Sequence, residues 1–344
     1  MLYTGIDLHK SFVYLMTVDE KGQTIKQQKI YNVPHEILNY FRCLSDAHQA
    51  VVESTIGWYW LTDLLQDHGI DIILANPGNL KEFAKSKIKT DKIDSEILAQ
   101  LLRTDFIPKA FQMPGKIREQ RDLMRSRLNL IQKRTSVINH IHGLFHKYNV
   151  TDPNELPDLS RFEFEQLHDH VTFMNHQIKE LEKTLSELII LDEDVQRLLW
   201  IPGIGKISAF TIYLEVHDFA RFPTEKQFFS YARVVPAASN SGGKVKYNQK
   251  ESKNGNKYLK IVFNDAAVNA YRNYPVIRDF YNRKCRRKNK HIARSIVSKE
   301  IARIVYHLST KKCDYDFTFK GIPLTRRKLR CWPCPTSPGT SVVA

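Results

Sequence analysis

The chain has 344 residues, with 52 Lys and Arg against 37 Asp and Glu and a formal net charge of +15. This length allows two or three domains, and the charge, with a pI near 9.5, favours a polyanionic partner such as nucleic acid. The chain lacks an apolar run of membrane-spanning length, the start MLYTGIDLHK has no signal-peptide hydrophobic region, and five cysteines fit a reducing, cytoplasmic compartment.

The first hundred residues alternate strand-like and helix-like patterns. Three strands are predicted in LYTGIDL, SFVYLMTVDEKG and QTIKQQKIYNV, followed by a helix in HEILNYFRCLSD. AVVEST then reads as a strand, WYWLTDLLQDHG as a helix and DIILANP as a strand, before a last helix that contains KIDSEILAQL. This order predicts an α/β domain over residues 1–105, with a mixed sheet covered by helices.

Two long helices are predicted between residues 106 and 194, joined by the proline-containing link TDPNELPDL. The first runs from Lys116 to about Tyr148, with apolar residues recurring at three and four. The second carries a heptad, formed by Leu167, Val171, Met174, Ile178, Leu181, Leu185 and Leu188. The pattern predicts a coiled-coil seam, either between these two helices or across a dimer.

Residues 195–310 return to a compact pattern and predict a mainly α C-terminal domain. The segment starts with IPGIGKISAFTIYLEV, passes through a glycine-containing loop region and ends with helices. Residues 311–344 have weak periodicity and are expected to form a loosely ordered tail. The tail holds a lone CWPC, formed by Cys331 and Cys334, without a second pair at zinc spacing.

Four acidic residues of the N-terminal domain are placed to converge. Asp7 is the only acid in LYTGIDL, and Glu53 follows two valines in a strand expected to lie beside it. Asp91 and Asp94 lie near a helix start, where the helix dipole stabilises negative charge. Acids are therefore common at such positions even when they have no further function. A carboxylate in an apolar strand is costly unless it is paired or bound to metal, and four together repel one another. The set predicts a site for two divalent ions of the kind that stabilise phosphoryl transfer.

These acids lie in motifs that resemble a known family. GIDLHK, the E-S-T-x-G of ESTIG and KTDKIDSEILA are similar to the N-terminal domain of the "one-ten" family of insertion-sequence transposases. The resemblance implies a RuvC-like domain with an RNase H-type sheet and a DEDD tetrad. The tetrad maps onto Asp7, Glu53, Asp91 and Asp94 as ligands of Mg²⁺, with Mn²⁺ as the alternative.

A glycine-rich turn opens the C-terminal domain. WIPGIGKISAF places Gly203 and Gly205 between helical segments, where the turn exposes backbone N–H groups at the next helix start. It resembles a helix-hairpin-helix, which binds the DNA backbone without reading sequence, and Lys206 is the cation best placed to assist. A plain interhelical turn is the alternative interpretation.

A serine in the loop region is the predicted nucleophile. On composition alone a serine before two glycines is ordinary loop sequence, although glycine and Lys244 supply close approach and positive charge. VVPAASNSGGKVKYNQKESKNGNKYLK also resembles the family's P-x(4)-SGG segment followed by K-x-G-N-x-x-L-R. The resemblance implies that Ser241 forms a covalent phosphoserine link to DNA, with Ser239 the weaker candidate. Arg233 stands where a family glycine is expected, and Lys260 replaces the final arginine.

Basic residues cluster in RKCRRKNKHIAR, which holds seven Lys or Arg and no acid. A solvated helix face is the simplest interpretation, but in so basic a chain contact with phosphates, without sequence readout, is favoured. The nucleic-acid contacts predicted outside the glycine turn are Lys244, Lys253, Arg283, Lys284, Arg286, Arg287 and Lys288.

The resemblance covers roughly residues 1–105 and 195–280 and predicts a transposase that recombines donor and target DNA. It implies a structured bridge RNA as guide and two dimers joined in the synaptic complex. The heptad helices predict the homodimer itself, no membrane partner is expected from the composition, and a nucleoid-associated place in a prokaryotic cytoplasm is expected. Two alternatives stay open on the sequence alone. A RuvC-like junction endonuclease would use the same tetrad with water as nucleophile. A non-enzymatic nucleic-acid-binding protein would need neither metal nor Ser241.

Overall fold

The structure is a computed structural model that describes residues 1–44, 47–80, 90–190, 192–235, 240–241, 244–245 and 255–324. At residues 240–241 and 244–245 the description extends to the backbone alone. The chain divides into two compact units, Met1–Gly115 and Lys116–Ala344. The predicted domain boundaries at residues 194 and 310, inside the second unit, stay a prediction.

The first unit is built on a five-stranded mixed sheet. Its elements are β1 (Leu2–Leu8), β2 (Phe12–Val18), β3 (Thr24–Tyr31), α1 (Pro34–Arg42), β4 (His48–Glu53), α2 (Trp58–Asp67), β5 (Asp71–Ala75), α3 (Pro77–Leu80) and α4 (Asp91–Arg103). The strand order is β3-β2-β1-β4-β5, with β1 antiparallel to β2 and parallel to β4. The predicted α/β mixed sheet is confirmed, and so is the expectation that the strands of the two acids are neighbours.

The two faces of this sheet carry separate cores. Ile6 of β1 and Val52 of β4 are fully buried among side chains of α1 and α2. Val51 instead packs with Leu98 and Leu102 of α4. Because side chains alternate along a strand, the odd-numbered residues of β1 and β4 face α4.

Gly5 allows α4 to lie directly on β1. A Cβ atom at this position would be 2.0 Å from the carbonyl oxygen of Ser95 and 2.6 Å from the amide nitrogen of Ala99. Both are backbone atoms of α4, so no side-chain rotation could make room for a larger residue. The glycine therefore sets the distance between the helix and the central strand.

The described part of the second unit is mainly helical, as predicted. Its elements are α5 (Gly115–Tyr148), a 3₁₀ turn (Pro153–Glu155), α6 (Asp158–Ile189), α7 (Glu193–Leu199), α8 (Lys206–Val216), α9 (Glu225–Tyr231), β6 (Asn240–Ser241), β7 (Lys244–Val245), α10 (Lys257–Asn273), α11 (Pro275–Cys285), α12 (Lys290–Lys311), β8 (Thr318–Phe319) and β9 (Ile322–Pro323). Across the described ranges, the helices all fall short of the combined length and apolar character that crossing a membrane requires.

The long helices α5 and α6 pack along each other. Arg127 Nε donates a 2.7 Å hydrogen bond to Glu182 Oε1 towards one end of the pair. Towards the other end the rings of Phe145 and Phe164 stack at a centroid distance of 5.4 Å. The coiled coil and the dimer predicted for this region stay predictions.

The predicted heptad of α6 is only partly buried. Met174, Ile178 and Leu185 are buried, but Leu188 is 55% exposed and Ile189 is buried instead. A straight α-helix drifts by about 20° per heptad relative to a strict seven-residue repeat, which moves the buried position by one residue near the helix end.

The expected loosely ordered tail differs from the structure between residues 312 and 324. β8 and β9 pair antiparallel there, and Tyr315 and Phe319 are buried in the core of the second unit. The ring of Phe319 contacts that of Phe280 at a centroid distance of 5.4 Å. Tyr315, Phe317 and Phe319 alternate with polar residues, a short strand-like signal that the sequence analysis missed. The CWPC motif lies outside the described residues.

Candidate active site

Asp7 and Glu53 occupy neighbouring strand positions. Ile6 pairs with Val52 in the parallel register of β1 and β4, so each acid comes next on its strand. Side-chain alternation directs both acids to the face of the sheet that α4 covers. Asp7 is 20% exposed at its side chain, and Glu53 is half-buried.

The first turn of α4 carries Asp91 and Asp94. The hydroxyl of Thr90 accepts a 3.3 Å hydrogen bond from a backbone N–H of this turn, which fixes where the helix starts. The helix dipole stabilises the negative charge of both acids here, so the structural explanation for acids at a helix start applies to this pair as well. The packing of α4 on Gly5 then brings this turn to the carboxylate of β1.

Three side chains direct metal-ligating atoms into one small space. One ligand atom each of Asp7, His9 and Asp91 lies within 4.8 Å of the other two. His9 Nε2 is 3.1 Å from Asp7 Oδ2 and 3.2 Å from Asp91 Oδ1. The structure thus brings together acids from β1 and α4, which are distant in the sequence.

The charge of this cluster is not balanced by its own residues. Burial raises the pKa of the Asp7 carboxyl above its usual range, His9 lowers it, and the carboxylates of Asp94 and Asp91 raise it further. A divalent cation would relieve this repulsion, and carboxylate oxygens are the ligands that Mg²⁺ and Mn²⁺ prefer. The residues present therefore fit the metal that the family resemblance implies.

His9 is a site residue that the sequence analysis missed. The signal was available in GIDLHK, because His9 follows Asp7 by two residues, and a two-residue step keeps the same side of an extended chain. Histidine is itself a common metal ligand, so a histidine close to Asp7 on the strand indicates a further ligand for the same metal.

A buried carboxylate organises the second unit. Glu215 of α8 accepts two hydrogen bonds from Arg125 of α5, from Nε to Oε1 and from Nη2 to Oε2, both at 2.7 Å. Burial alone would lower the pKa of Arg125, but the hydrogen bonds and charge of Glu215 raise it overall. The sequence analysis missed this pair, although Glu215 is the sole acid in IPGIGKISAFTIYLEV, just as Asp7 is in LYTGIDL.

Asn256 joins this pair to the start of α10. Its Nδ2 donates to Glu215 Oε2 at 2.6 Å, and its Oδ1 accepts from two backbone N–H groups of the helix at 2.9 and 3.1 Å. Its own backbone N–H donates to the carbonyl of Tyr231 at 2.6 Å. Gly255 has a φ of +95°, and a Cβ there would lie 2.6 Å from the same carbonyl. The Gly-Asn pair of the family-like pattern therefore fixes the point at which the chain enters α10.

The predicted nucleophile is described through its backbone. Ser241 ends β6 and pairs with Lys244 of β7 across a Gly-Gly sequence. The side chains of Ser241 and Lys244, and all of Ser239 and Lys253, lie outside the described residues. The nucleophilic role of the serine stays a prediction.

The departure of Arg233 from the family pattern has a backbone consequence. Its φ is 54°, in the left-handed region that favours glycine. An L-residue with a side chain adopts this conformation at a cost of about 1–2 kcal/mol. Glycine adopts this conformation without that cost, which agrees with the glycine expected here from the family pattern.

The two glycines of the G-I-G turn have different surroundings. A Cβ at Gly203 would lie 2.1 Å from the carbonyl oxygen of Ala266, so this residue lets the turn pack on α10. Gly205 is the N-cap of α8, and a Cβ there would meet nothing within 4 Å among the described residues. The first turn of α8, which begins at Lys206, is thus open at this point. DNA contact by all three residues stays a prediction.

The predicted basic cluster spans the end of α11, a short turn and the start of α12, and we call it the α11–α12 corner. Lys284 is half-buried, with Nζ 5.2 Å from the centroid of the Phe280 ring. The other basic residues predicted to bind DNA here are exposed, namely Arg283, Arg286, Arg287 and Lys288. The corner presents a concentrated positive charge to solvent, as backbone contact with DNA requires.

Comparison with known families adds a decisive observation. The model of the DEDD transposase domain of IS110 matches residues 4–150, and that of the Transposase IS116/IS110/IS902 family matches residues 195–282. The chain belongs to the IS110 family of transposases. The first match contains all four acids of the candidate metal site, and the second contains the G-I-G turn and Ser241.

Two transposases and a gene-inverting protein are similar to this IS110 family member over most of their length. It is 25% identical over 258 residues to the transposase for insertion sequence element IS1328 of Yersinia enterocolitica, covering 70% of this chain and 75% of the relative. The transposase for insertion sequence element IS1111A of Coxiella burnetii is 26% identical over 266 residues, which is 70% of each chain. The pilin gene-inverting protein of Moraxella bovis is 25% identical over 299 residues, or 82% of this chain and 87% of the relative.

Membership of this family gives the chain DNA transposition as its general function. A transposase transfers DNA strands, so this IS110 family member is an enzyme of DNA strand transfer. Its DEDD domain implies the use of a divalent metal, and the cluster of acids and histidine in the first unit agrees with this.

Proposed function

We propose that this transposase cuts and rejoins donor and target DNA through a Mg²⁺- or Mn²⁺-dependent DEDD site and a covalent phosphoserine on Ser241. The observation that carries the proposal is the convergence of Asp7 and Asp91 with His9 at the C-terminal end of the central strand β1, within 4.8 Å. Glu53 on β4 and Asp94 in the first turn of α4 do not belong to this cluster of three, and their role as the remaining ligands follows from the family resemblance.

The chain supplies the nucleophile and the scaffold of the reaction. Ser241 Oγ attacks a DNA phosphorus, so that an Oγ–P bond forms, the bond from phosphorus to a deoxyribose oxygen breaks, and the serine proton is lost while the leaving oxygen gains one. Divalent ions held by the tetrad supply stabilisation of the charge that develops on the phosphoryl oxygens. Because the phosphodiester energy is kept in the serine link, a DNA hydroxyl can reverse the step and rejoin the strand.

The basic surfaces of the second unit hold the DNA in this proposal. The start of α8 at Gly205 and Lys206, the lysines Lys244 and Lys253, and the α11–α12 corner contact phosphates without reading sequence. In this proposal a bridge RNA selects the DNA sequence. This role follows from the family resemblance, and a chain of net charge +15 is suited to binding RNA as well as DNA. The similarity to a pilin gene-inverting protein fits the same cut-and-rejoin chemistry.

Oligomerisation completes the proposal. The partly exposed apolar residues of α6 provide a surface for a homodimer, and two dimers would join in the synaptic complex.

The test is a denaturing gel of the full chain with labelled element-junction DNA, Mg²⁺ and RNA transcribed from the flanking non-coding region. We expect a labelled band at the mass of the protein. It should vanish in Ser241→Ala and in Asp7→Asn, and persist in the matched control Ser239→Ala.

Two results would replace the proposal. Cleavage without an adduct, unchanged in Ser241→Ala, would indicate a junction endonuclease that uses water as nucleophile. DNA binding without cleavage or adduct, unaffected by metal or by Asp7→Asn, would indicate a non-enzymatic nucleic-acid-binding protein.

A further inference from the structure

We propose that His9 is a direct ligand of the catalytic metal and gives this site a preference for Mn²⁺ over Mg²⁺. The inference rests on the proposed function of the DEDD site and adds a nitrogen ligand to its oxygen ligands.

The positions of the ligand atoms carry the proposal. His9 Nε2 lies 3.1 Å from Asp7 Oδ2 and 3.2 Å from Asp91 Oδ1. Adjacent ligands of an octahedral ion at about 2.1 Å are separated by that distance multiplied by √2, or about 3.0 Å. Both distances from Nε2 therefore match the spacing of adjacent ligands in one coordination shell, and Asp7 and Asp91 offer ligand oxygens within 4.8 Å of each other.

The same nitrogen cannot satisfy both carboxylates equally well by hydrogen bonding. Nε2 carries at most one proton, and a hydrogen bond weakens as its angle departs from linearity. A cation placed against all three atoms would instead contact Nε2, Asp7 and Asp91 together. The side chains of His9 and Asp91 are 37% and 43% exposed, so a hydrated ion has access to the site from solvent.

The imidazole is held in place by its surroundings. The backbone N–H of His9 donates to the carbonyl of Phe12 at 2.9 Å, and Asn32 Nδ2 donates to the carbonyl of His9 at 2.9 Å. The ring of His9 stacks on that of Phe12 at a centroid distance of 4.4 Å, and Nζ of Lys29, on β3, lies 3.8 Å from the centroid of the Phe12 ring. A ring oriented in this way loses little freedom when it binds an ion.

The chemical consequence is a change in metal preference. Imidazole nitrogen is a good ligand for transition metals, whereas Mg²⁺ strongly prefers oxygen. A tetrad of carboxylates alone would accept either ion. With His9 in the shell, Mn²⁺ gains a ligand that Mg²⁺ uses poorly.

The test is pulsed electron paramagnetic resonance of the full chain with Mn²⁺ alone, before any DNA is added. We expect modulation of the Mn²⁺ echo by a directly bound imidazole nitrogen, which changes when the histidines are labelled with nitrogen-15. His9→Ala should abolish the modulation and weaken Mn²⁺ binding about tenfold or more, with a smaller effect on Mg²⁺. The matched control His35→Ala, at another exposed histidine of the first unit, should leave both unchanged.

The outcomes separate this inference from the proposed function. Mn²⁺ that binds and is lost in Asp7→Asn, but shows no nitrogen modulation in the unmodified chain, would overturn the role of His9 and leave the DEDD site standing. His9 would then be a hydrogen-bonding partner of the two acids. Absence of Mn²⁺ binding altogether would overturn both proposals. Because the unmodified protein already gives the decisive signal, the test does not depend on the folding of a variant.

Discussion

Replacing Gly5 with alanine should separate α4 from β1 and disrupt the metal site without touching any of its acids. The added Cβ would lie 2.0 Å from the carbonyl oxygen of Ser95, and ordinary contact begins at 3.4 Å, so the backbones must part by about 1.4 Å. Overpacking of this kind costs about 3 kcal/mol when backbone rather than a flexible side chain must move. Metal ligands tolerate only about 0.2 Å of displacement, so we expect Mn²⁺ affinity to fall at least tenfold.

Urea unfolding of the full chain would measure the loss of stability, and a Mn²⁺ titration would measure the affinity. Hydrogen exchange with mass spectrometry would localise the change, because peptides from α4 should lose protection while those from α10 should not. The matched control is Gly143→Ala, in the interior of α5, where a Cβ meets nothing within 4 Å among the described residues. The control should stabilise the protein by about 0.5–1 kcal/mol.

Unchanged unfolding and unchanged exchange in α4 would refute the argument that Gly5 sets the distance between helix and strand. A loss of stability with intact Mn²⁺ affinity would refute the second step, that the position of α4 controls the site.

Three further predictions concern charges. Glu215→Ala should lower the free energy of unfolding by about 3 kcal/mol, because the largely buried guanidinium of Arg125 loses its partner; urea unfolding checks this. Because the pKa of Asp7 is raised, the folded state keeps the proton of this carboxyl to higher pH than the unfolded state does. The metal-free protein should therefore lose stability as the pH rises above about 3.8. Melting curves at several pH values should show this loss in the unmodified protein but not in Asp7→Asn. Alanine at 286–288 should reduce the slope of log K for DNA against log salt by about three.

Each of these predictions has a control. Glu215→Gln keeps one acceptor for Arg125 and should lose less stability than the alanine variant; equal losses would contradict the charge argument. Mg²⁺ should raise the melting temperature of the unmodified protein but not of Asp7→Asn, and a rise in both would place the metal elsewhere. Alanine at the exposed Lys179 and Lys183 of α6 should leave the salt slope unchanged.

Patterns that repeat at short range were sufficient to predict the five strands and three longer helices of the first unit and the two long helices of the second. The strands and helices of the first unit, the two long helices and the mainly helical remainder follow from periods of two and 3.6 residues. Acids within apolar strands also indicated the candidate site. Burying an unpaired carboxylate costs free energy wherever the strand lies in the sheet. Asp7 and Glu53 could be singled out for that reason, before their strands were known to be parallel neighbours.

Contacts between elements that are far apart in the chain were decided by the tertiary structure. Glu215 and Asn256 are 41 residues apart, and Arg125 is 90 residues from Glu215, so no local pattern joins them. The proximity of His9 to Asp91 arises only because α4 packs on β1, and the need for Gly5 is visible only as the distance to a helix backbone. Sequence period determines which face of an element is apolar, whereas the side chains that meet across two faces depend on how the elements pack.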